Sequence, residues 1–562
     1  MTTAQSRKSL TVHQVLDQLR VEGVRYLFGS VSSSDSPISA SVMALRGKEG
    51  ENIHFLGSVH EASAVFMASG YAQATSLPGV VNIASGHLLN AVPAIYAANR
   101  SQIPLVILAD QEDSHIINDE PPLTVEHHLT VRTIAKWMAE ARTAREIGRL
   151  MRRAFHEALS PPKGPVVLSI PINLLLSTAK SQVIRPPLTS PLGTADQNFV
   201  SKVVGHLVRA ENPAIIAGNE VSQYRARRDT VLMSEVLGCP VYCEAAPIGV
   251  NFPNRHPHFA GVLPQDVDAA HERLKAHDLI LALGVQNRLP NRSEGPSMVP
   301  DTGTIIQINM DGRLAGMTFR STMATQADIS ETLSRIRAEM QLAVDNDWLS
   351  KSKVRTRNTI TGIAEVRHHQ EESLLYPNPA KPTSLFWLMR LLEGIRPPKS
   401  VVVSDIIHAN AMPFEILSLE SGSSFFSSNS GVNGFASGAA CGVQFAGLDI
   451  PIICLTGDES FLGYPQTLWT ARHYGLNTKF VIANTQSRAR LNMLPSAPTR
   501  RPPRFELTRP EISLTRLAAS MDVPAFQVQQ FSDLEPALVK LFSEPGPALI
   551  DVLIDPESYL GS

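Results

Sequence analysis

The sequence has little of what marks several classes of protein. Its 562 residues include only four cysteines, with no CxxC pair, which argues against a disulfide scaffold or a cysteine-ligated metal. No run approaches the ~18 consecutive apolar residues that span a bilayer, and the N-terminus lacks a signal-peptide core. A formal net charge of −2 creates no field that attracts nucleic acid or an anionic membrane. These absences predict a cytoplasmic protein with no membrane or nucleic-acid partner that acts on a small molecule.

What the chain does have is length and a recurring pattern of short apolar segments. A chain of 562 residues corresponds to about three or four domains of ~150 residues each. Continuous apolar runs bounded by Gly and Pro are typical of buried parallel strands, and here they alternate with helical segments. The runs are GVVNIAS, IPLVILAD, GPVVLSIP, NPAIIAG, DLILALG, TIIQINM, SVVVSD, IPIICLTGD and KFVIAN. This pattern predicts an α/β protein with parallel sheets.

Two polar stretches that contain proline, at 183–198 and 366–384, interrupt the pattern and predict linkers between domains. Residues 70–86 and 442–457 share a local pattern of a small-residue helix end, a turn, an apolar strand and a loop that contains Gly. Two homologous sheet domains should therefore flank a different central domain. The predicted domains are 1–182, 196–345 and 383–562.

The segment 453–487 is the most informative part of the chain. It reads as an apolar strand, a turn at Gly457 and Asp458, an amphipathic helix, and a second apolar strand that ends at Asn484. Polar groups therefore follow the carboxyl ends of two parallel strands, which is where open α/β sheets bind their ligands. The segment predicts a ligand site at this edge of the sheet.

Several segments together resemble the thiamine-diphosphate enzymes of the pyruvate decarboxylase and acetolactate synthase group, and most of all the benzoylformate decarboxylases. Besides the Asp458 segment they are HEASAVFMASGYAQAT (60–75), GPVVLSIPINLL (164–175), FPNRHPHFAG (252–261) and GFASGAACGVQF (434–445). The resemblance implies two thiamine-diphosphate-binding-type parallel-sheet domains that flank a Rossmann-like central domain. It also implies active sites between subunits, hence a homodimer or homotetramer. The cofactors implied are thiamine diphosphate and Mg²⁺, and no FAD is expected because no flavin motif is found.

The resemblance assigns catalytic roles to four residues. Glu61 matches the family's glutamate, which hydrogen-bonds the aminopyrimidine ring of the cofactor, and it stands on an apolar helix where a carboxylate without a partner is costly. Ser33 matches a serine near the substrate carboxylate, although its serine-rich surroundings also suit a helix cap. His256 matches a catalytic histidine of the central domain, although a loop histidine beside Pro also suits a structural role. A second family histidine aligns with Ala84, and His87 is the candidate to replace it.

For the diphosphate and the metal, the resemblance implies two overlapping sets of residues. The cofactor-binding set is Asp458, Ser460, Asn433 and Asn484, and the metal-binding set is Asp458, Thr485 and Ser487.

Four residues depart from the family's pattern in this region. Glu459 replaces a Gly, Thr485 replaces an Asn, Asn433 replaces an apolar residue, and Ile406 stands where hydroxyl groups contact the diphosphate. A glutamate ~4 Å from a phosphate would cost on the order of 4 kcal/mol per charge pair at an effective dielectric constant of ~20. We therefore expect weak binding of thiamine diphosphate.

Three functions remain open at this point. The first is a decarboxylase or carboligase that acts on a small 2-keto acid or a related carbonyl compound with thiamine diphosphate. The second is a cofactor-independent relative that uses Glu61 and nearby histidines for acid–base cleavage (retro-aldol, decarboxylation or hydrolysis), with the pKa of Glu61 raised by burial. The third is a non-catalytic partner subunit, which would gain nothing from a carboxylate on a buried helix.

Overall fold

The structure, a computed structural model, describes most of the chain and shows three six-stranded parallel sheets in it. The residues it describes are 10–32, 36–45, 53–178, 182–187, 192–286, 297–300, 303–317, 319–372, 376–406, 409, 411–486 and 510–555. The prediction of a three-domain α/β protein is confirmed.

The N-terminal sheet is built from short, almost entirely buried strands. Their bounds are β1 Tyr26–Ser30, β2 His54–Ser58, β3 Gly79–Ile83, β4 Leu105–Gln111, β5 Trp137–Glu140 and β6 Pro165–Pro171. The helices around them are α1 Thr11–Val21, α2 Pro37–Met43, α3 Glu61–Thr75, α4 Leu88–Arg100, α5 His127–Val131, α6 Ile147–Leu159 and α7 Ile172–Leu175. The spatial order of the strands is β2-β1-β3-β4-β6-β5.

The central domain has a different topology. Its strands are β7 Pro213–Ala217, β8 Val241–Cys243, β9 Phe259–Val262, β10 Leu279–Leu283, β11 Thr304–Asn309 and β12 Met323–Gln326, in the order β12-β11-β10-β7-β8-β9. Its helices are α8 Gln197–Arg209, α9 Asn219–Gln223, α10 Arg227–Leu237, α11 Val267–Leu274 and α12 Ile329–Ala343. A longer helix, α13 Asn346–Glu372, follows them and covers the first residues of the linker predicted at 366–384.

The C-terminal sheet repeats the strand order of the first one. Its strands are β13 Val401–Ser404, β14 Phe425–Ser427, β15 Ile452–Gly457, β16 Thr478–Asn484, β17 Ala525–Val528 and β18 Ala548–Leu553, in the order β14-β13-β15-β16-β18-β17. Its helices are α14 Leu385–Ile395, α15 Met412–Ile416, α16 Phe435–Gln444, α17 Asp458–Phe461, α18 Thr467–His473, α19 Leu514–Ala519 and α20 Leu534–Ser543. The predicted pair of homologous outer domains is therefore present.

Helices α3 and α16 join the two outer domains inside one chain. Both are rich in small residues and are buried on nearly every face. Glycines let their backbones touch: a Cβ atom on Gly442 would lie 1.8 Å from the carbonyl oxygen of Met67, and one on Gly70 would lie 2.0 Å from that of Ala439. Glu61 begins one of these helices, and Asn433 and Gly434 precede the other, so this contact brings both predicted half-sites to one region.

Within the described residues, no helix is both long enough and apolar enough to cross a membrane. The four cysteines are buried and unbridged.

Candidate active site

Glu61 lies at the first turn of α3, directly after strand β2. The ring of His60 accepts the N–H of Ala62 at 3.1 Å and caps the helix, which places the Glu61 carboxylate among the free N–H groups of the helix N-terminus. Only 5% of Glu61 is exposed. The partial positive charge of a helix N-terminus favours a carboxylate over a carboxylic acid at this position.

Three side chains donate hydrogen bonds to the Glu61 carboxylate. Ser30 (2.8 Å) and Ser32 donate to Oε1, and Asn90 donates to Oε2 at 3.1 Å. Burial by itself would raise the pKa of Glu61, but the hydrogen bonds from Ser32, the helix backbone, Ser30 and Asn90 together outweigh it and lower the pKa. The expectation of a raised pKa was therefore wrong, because the sequence did not show these donors.

His87 is the one predicted histidine that lies beside Glu61. Its Nδ1 atom is 3.6 Å from Oε1 of Glu61, and its side chain is 32% exposed. A short 3-10 turn, Ser85–His87, leads from Ala84 into α4 and carries the ring to this position. Asn90, three residues further on, lies on the same face of the helix, a spacing that sequence reasoning had overlooked.

The other two predicted catalytic residues stand differently. Ser33 lies outside the described residues, next to Ser32. Among the described residues, the His256 ring contacts side chains and backbone of the central domain: Nε2 is 3.4 Å from Oε1 of Glu235, Nδ1 accepts the N–H of His258, and the ring packs edge-on against Phe252. The structure does not bring His256 to Glu61, and its catalytic role stays a prediction.

The segment around His256 has a visible structural role. Asn254 is buried, and its amide nitrogen donates to the carbonyl oxygens of Phe414 (2.8 Å) and Leu417 (2.5 Å). Its amide oxygen accepts the N–H of Leu419 at 2.8 Å. The FPNRHPHFAG segment therefore fastens the central domain to the C-terminal domain.

In the C-terminal domain, Asp458 is the first residue of α17, at the end of β15. Its Oδ1 atom accepts a hydrogen bond from the Thr485 hydroxyl at 3.4 Å, whereas its buried Oδ2 atom has no hydrogen-bond partner among the described residues. Burial raises the pKa of Asp458 to about 6, although hydrogen bonds from the backbone N–H groups of Thr485, Glu459 and Asp458 itself act to lower it. A cation at Oδ2 would relieve this cost, and oxygen ligands are those that Mg²⁺ prefers. The donors therefore fit the metal that the resemblance implies.

The metal site is sparse in charged ligands. Among the described residues, no group of three or more His, Cys, Asp or Glu side chains is placed to hold a metal. Ser487, the third predicted ligand, lies outside the described residues. In the part of the chain that the structure describes, the donors at this site are thus Asp458, the Thr485 hydroxyl and main-chain oxygens.

Two of the unusual residues are partners of each other. The amide of Asn433 donates to Oε1 of Glu459 at 3.3 Å. The carboxylate that replaces the family's Gly is therefore paired with the amide that replaces its apolar residue. Ile406, another of the four departures, is 1% exposed and belongs to the core.

The remaining two predicted cofactor residues use their side chains to hold the domain together. Ser460 donates to Oδ2 of Asp405 at 2.5 Å and accepts the N–H of Gly434 at 2.7 Å. Asn484 donates to Asp551 at 2.8 Å and accepts the N–H of Gln486 at 3.0 Å. Ser460 thus joins the helix that Asp458 begins to Gly434, just before α16, and Asn484 joins the end of β16 to β18. Their contact with a cofactor stays a prediction.

Tyr464 connects the two halves of the site within the chain. Its ring centroid lies 5.2 Å from that of His60 and 5.5 Å from that of Phe66. On its other side it covers Gly434, where φ is +90° and a Cβ atom would lie 2.2 Å from the ring, so only glycine fits. The residue before Glu61 and the residue after Asn433 thus contact the same aromatic ring.

Comparison with known proteins places all three domains. Models of the thiamine pyrophosphate enzymes match the chain as an N-terminal TPP binding domain at residues 11–132, a central domain at 200–336 and a C-terminal TPP binding domain at 410–552. The last match includes Asn433, Glu459 and Thr485, so these departures do not remove the domain from the TPP-binding type. The expectation of weak thiamine diphosphate binding therefore has no support from these matches.

Similar proteins cover nearly the whole chain. Benzoylformate decarboxylase of Pseudomonas aeruginosa is 25% identical over 555 residues, which are 96% of this chain and 98% of that protein. Acetolactate synthase isozyme 1 large subunit of Escherichia coli is 23% identical over 564 residues, 99% of this chain and 96% of that protein. Among solved structures, a thiamine diphosphate-dependent 4-hydroxybenzoylformate decarboxylase from Rhodococcus jostii has a TM-score of 0.80 at 24% identity and covers 97% of this chain and 99% of its own. That structure shows the shared fold.

Proposed function

Because this chain belongs to the thiamine pyrophosphate enzyme family, we propose that it breaks or forms a carbon–carbon bond next to the carbonyl group of a small 2-keto acid. The observation that carries the proposal is the Glu61 carboxylate, which is buried and accepts hydrogen bonds from three side chains at the start of α3. Decarboxylase and synthase names among the relatives support this reaction class. Neither the cofactor-independent alternative nor the silent partner subunit has support from the comparisons.

Thiamine diphosphate, when bound, supplies the electron sink for this chemistry. The protein's part begins with Glu61, whose lowered pKa keeps it ionised at neutral pH and able to accept a hydrogen bond or a proton. Ser30, Ser32 and Asn90 fix the direction of its two oxygens. The imidazole of His87, 3.6 Å away and partly exposed, is placed to exchange a proton with Glu61 or with a substrate.

Asp458 and Thr485 are the residues that we propose to hold Mg²⁺, together with the carbonyl of Ser487. The support is the buried Oδ2 atom of Asp458, a carboxylate oxygen that no described residue satisfies. The Asn433 amide donates a hydrogen bond to the Glu459 carboxylate. This hydrogen bond holds the carboxylate in place and partly offsets its negative charge, which lessens the repulsion toward an anionic cofactor.

We also propose that the working form is a homodimer or homotetramer with a small carbonyl or carboxylate substrate. The support is a set of large apolar side chains next in sequence to the residues that hold Glu61. Val31 is 60% exposed, Val59 is 44% exposed and Leu89 is 52% exposed. Exposed apolar groups concentrated around a polar site are typical of a surface that another subunit covers. Light scattering of the purified chain tests the proposal, and a monomer would contradict it.

The experiment for the main proposal is a calorimetric titration of the protein with thiamine diphosphate, with and without Mg²⁺, followed by assays on a panel of 2-keto acids. Binding should require Mg²⁺ and should be lost in Asp458→Ala but kept in Asp522→Ala, which removes an exposed carboxylate instead. Carbon–carbon cleavage or ligation should appear only with the cofactor. Equal activity with and without thiamine diphosphate after exhaustive dialysis would overturn the proposal.

A further inference from the structure

The turn that carries His87 is contacted by a segment of the same domain that lies far from it in sequence. Ser85–His87 form a single 3-10 turn between β3 and α4. From Leu88 onward, α4 is anchored by its own buried side chains, Leu88 and Ala91 among them. His87 comes before this anchored part, so its position depends on what holds the turn. Residues 123–127, which lead into α5, supply the contacts.

Leu123 presents its carbonyl oxygen to the turn from a strained conformation. Its φ angle is +72°, in the left-handed region that a bulky side chain rarely adopts. The carbonyl oxygen accepts a hydrogen bond from the Ser85 hydroxyl at 2.9 Å. A Cβ atom on Gly86 would lie 2.8 Å from the same oxygen, so the two backbones are in direct contact. Strained residues persist where their surroundings hold them, and they cluster near functional sites.

His127 holds the same turn with its imidazole ring. The ring is buried, and its Nε2 atom lies 3.2 Å from the carbonyl oxygen of Ser85. A carbonyl oxygen can only accept, so Nε2 carries a proton and donates it. On the other side of the ring, Nδ1 lies 2.9 Å from the hydroxyl oxygen of Ser169, which is itself 2.9 Å from Oε2 of Glu140. The ring is therefore fixed at both nitrogens.

The hydrogen bond from His127 to Ser85 is a structural contact and not a step of chemistry. Burial lowers the pKa of His127, so the ring is neutral at pH 7 and its single proton is the one on Nε2. The partner of that proton is a main-chain carbonyl, which does not take up a proton at neutral pH. Any effect of His127 on the reaction must therefore pass through the position of the turn.

We propose that His127 is a positioning residue, which holds the Ser85 carbonyl and thereby keeps the His87 ring beside Glu61. The inference rests on the proposed function, in which His87 exchanges a proton with Glu61 or with a substrate. Leu123 and His127 fix the turn, while the His87 side chain stays 32% exposed and can meet a substrate. Misplacement of a reacting group by about 1 Å can cost about 10²-fold in rate.

Two variants separate the two ends of the His127 ring. The amide nitrogen of His127→Gln reaches about as far from the backbone as Nε2, so it can still donate to Ser85. The amide nitrogen of His127→Asn reaches only about as far as Nδ1, so this variant loses the donor. His368→Asn is the matched control, because it changes a histidine of α13 whose side chain is 73% exposed.

Hydrogen exchange of the backbone amides of residues 84–90, followed by mass spectrometry, reports on the turn without any substrate. We expect exchange about fivefold faster in His127→Asn, the effect of losing one ordinary hydrogen bond, and unchanged exchange in His127→Gln and in the control. The increase should be confined to the turn and to residues 123–131. Unchanged exchange in His127→Asn, or an equal increase throughout the N-terminal domain, would overturn the proposal.

A double-mutant cycle on activity tests the route through His87. His127→Asn should lower kcat by at least about tenfold with little change in KM, and His127→Gln should keep most of the activity. In a His87→Ala background the same Asn substitution should cost less than about twofold, because the side chain that it positions is absent. An equal loss in both backgrounds would refute the inference. Absence of turnover in the parent protein would count against the proposed function instead, and the exchange measurement would still decide whether His127 holds the turn.

Discussion

The glycine contact between α3 and α16 yields the sharpest prediction of stability. In Gly442→Ala the new methyl group would stand 1.8 Å from the carbonyl oxygen of Met67, whereas real Cβ contacts are essentially never shorter than 3.0 Å. Both groups belong to helix backbones, so no side chain can rotate away, and the two helices must separate by roughly 1 Å. The contact lies in the densely packed core that the two outer domains share. Overpacking of this kind costs about 1–3 kcal/mol or more.

The assay is thermal unfolding followed by calorimetry or circular dichroism, with Gly362→Ala as the matched control. Gly362 lies within helix α13 with no atom within 4 Å of its would-be Cβ, so alanine there should stabilise the protein by up to about 1 kcal/mol through helix propensity. We expect Gly442→Ala to lower the midpoint by several degrees and Gly362→Ala to keep or raise it. If the two variants unfold at the same temperature, the backbone contact between α3 and α16 does not exist as described.

Three further predictions concern Glu61 with one of its donors, Lys479, and the pair Thr485 and Glu459. Glu61→Gln should fold normally and lose about 10²–10⁴-fold in activity. Ser32→Ala removes a hydrogen-bond donor to the ionised carboxylate, so it should raise the pKa of Glu61 and move the acid limb of the pH–rate profile to higher pH. If the acid limb does not move, Glu61 is not the group that sets it. Burial lowers the pKa of Lys479 to about 8, so between pH 8 and 10.5 the unfolded chain binds more protons than the folded chain. The free energy of unfolding should therefore rise with pH in that window. Urea titrations of Lys479→Met should no longer show this rise. Replacing Thr485 by Asn and Glu459 by Gly together should tighten the binding of thiamine diphosphate with Mg²⁺ in calorimetry, because a ligand is restored and a negative charge removed; unchanged affinity would show that the metal-site alignment is wrong.

The fold could be predicted from the sequence because its main signal is local. Short apolar runs bounded by Gly and Pro report parallel strands without any knowledge of their neighbours, and the similar segments 70–86 and 442–457 reported two related sheets. Glu61 was also visible, since a carboxylate at the head of an apolar helix is unusual on energetic grounds alone.

What could not be predicted depends on contacts between distant parts of the chain. The pKa of Glu61 is lowered by side chains from a strand end and from another helix, Ser30 and Asn90, and nothing in the local sequence shows that they meet. Asn433 and Glu459, which are 26 positions apart and hydrogen-bonded to each other, likewise counted in the sequence as two independent departures from the family's pattern. In the same way, the loop that contains His256 drew attention as a catalytic segment, whereas the structural role of its Asn254 depends on contacts with the C-terminal domain.

The three hydrogen bonds of the Asn254 side chain and the backbone contact between α3 and α16 together have a mechanical consequence. The first fastens the central domain to the C-terminal domain, and the second interlocks the C-terminal domain with the N-terminal one. A hinge motion that moves whole domains apart would have to break these contacts. Admission of substrate and shielding of the reaction from bulk solvent are therefore expected to fall to individual side chains and strand-end loops, whose motions are faster than those of whole domains.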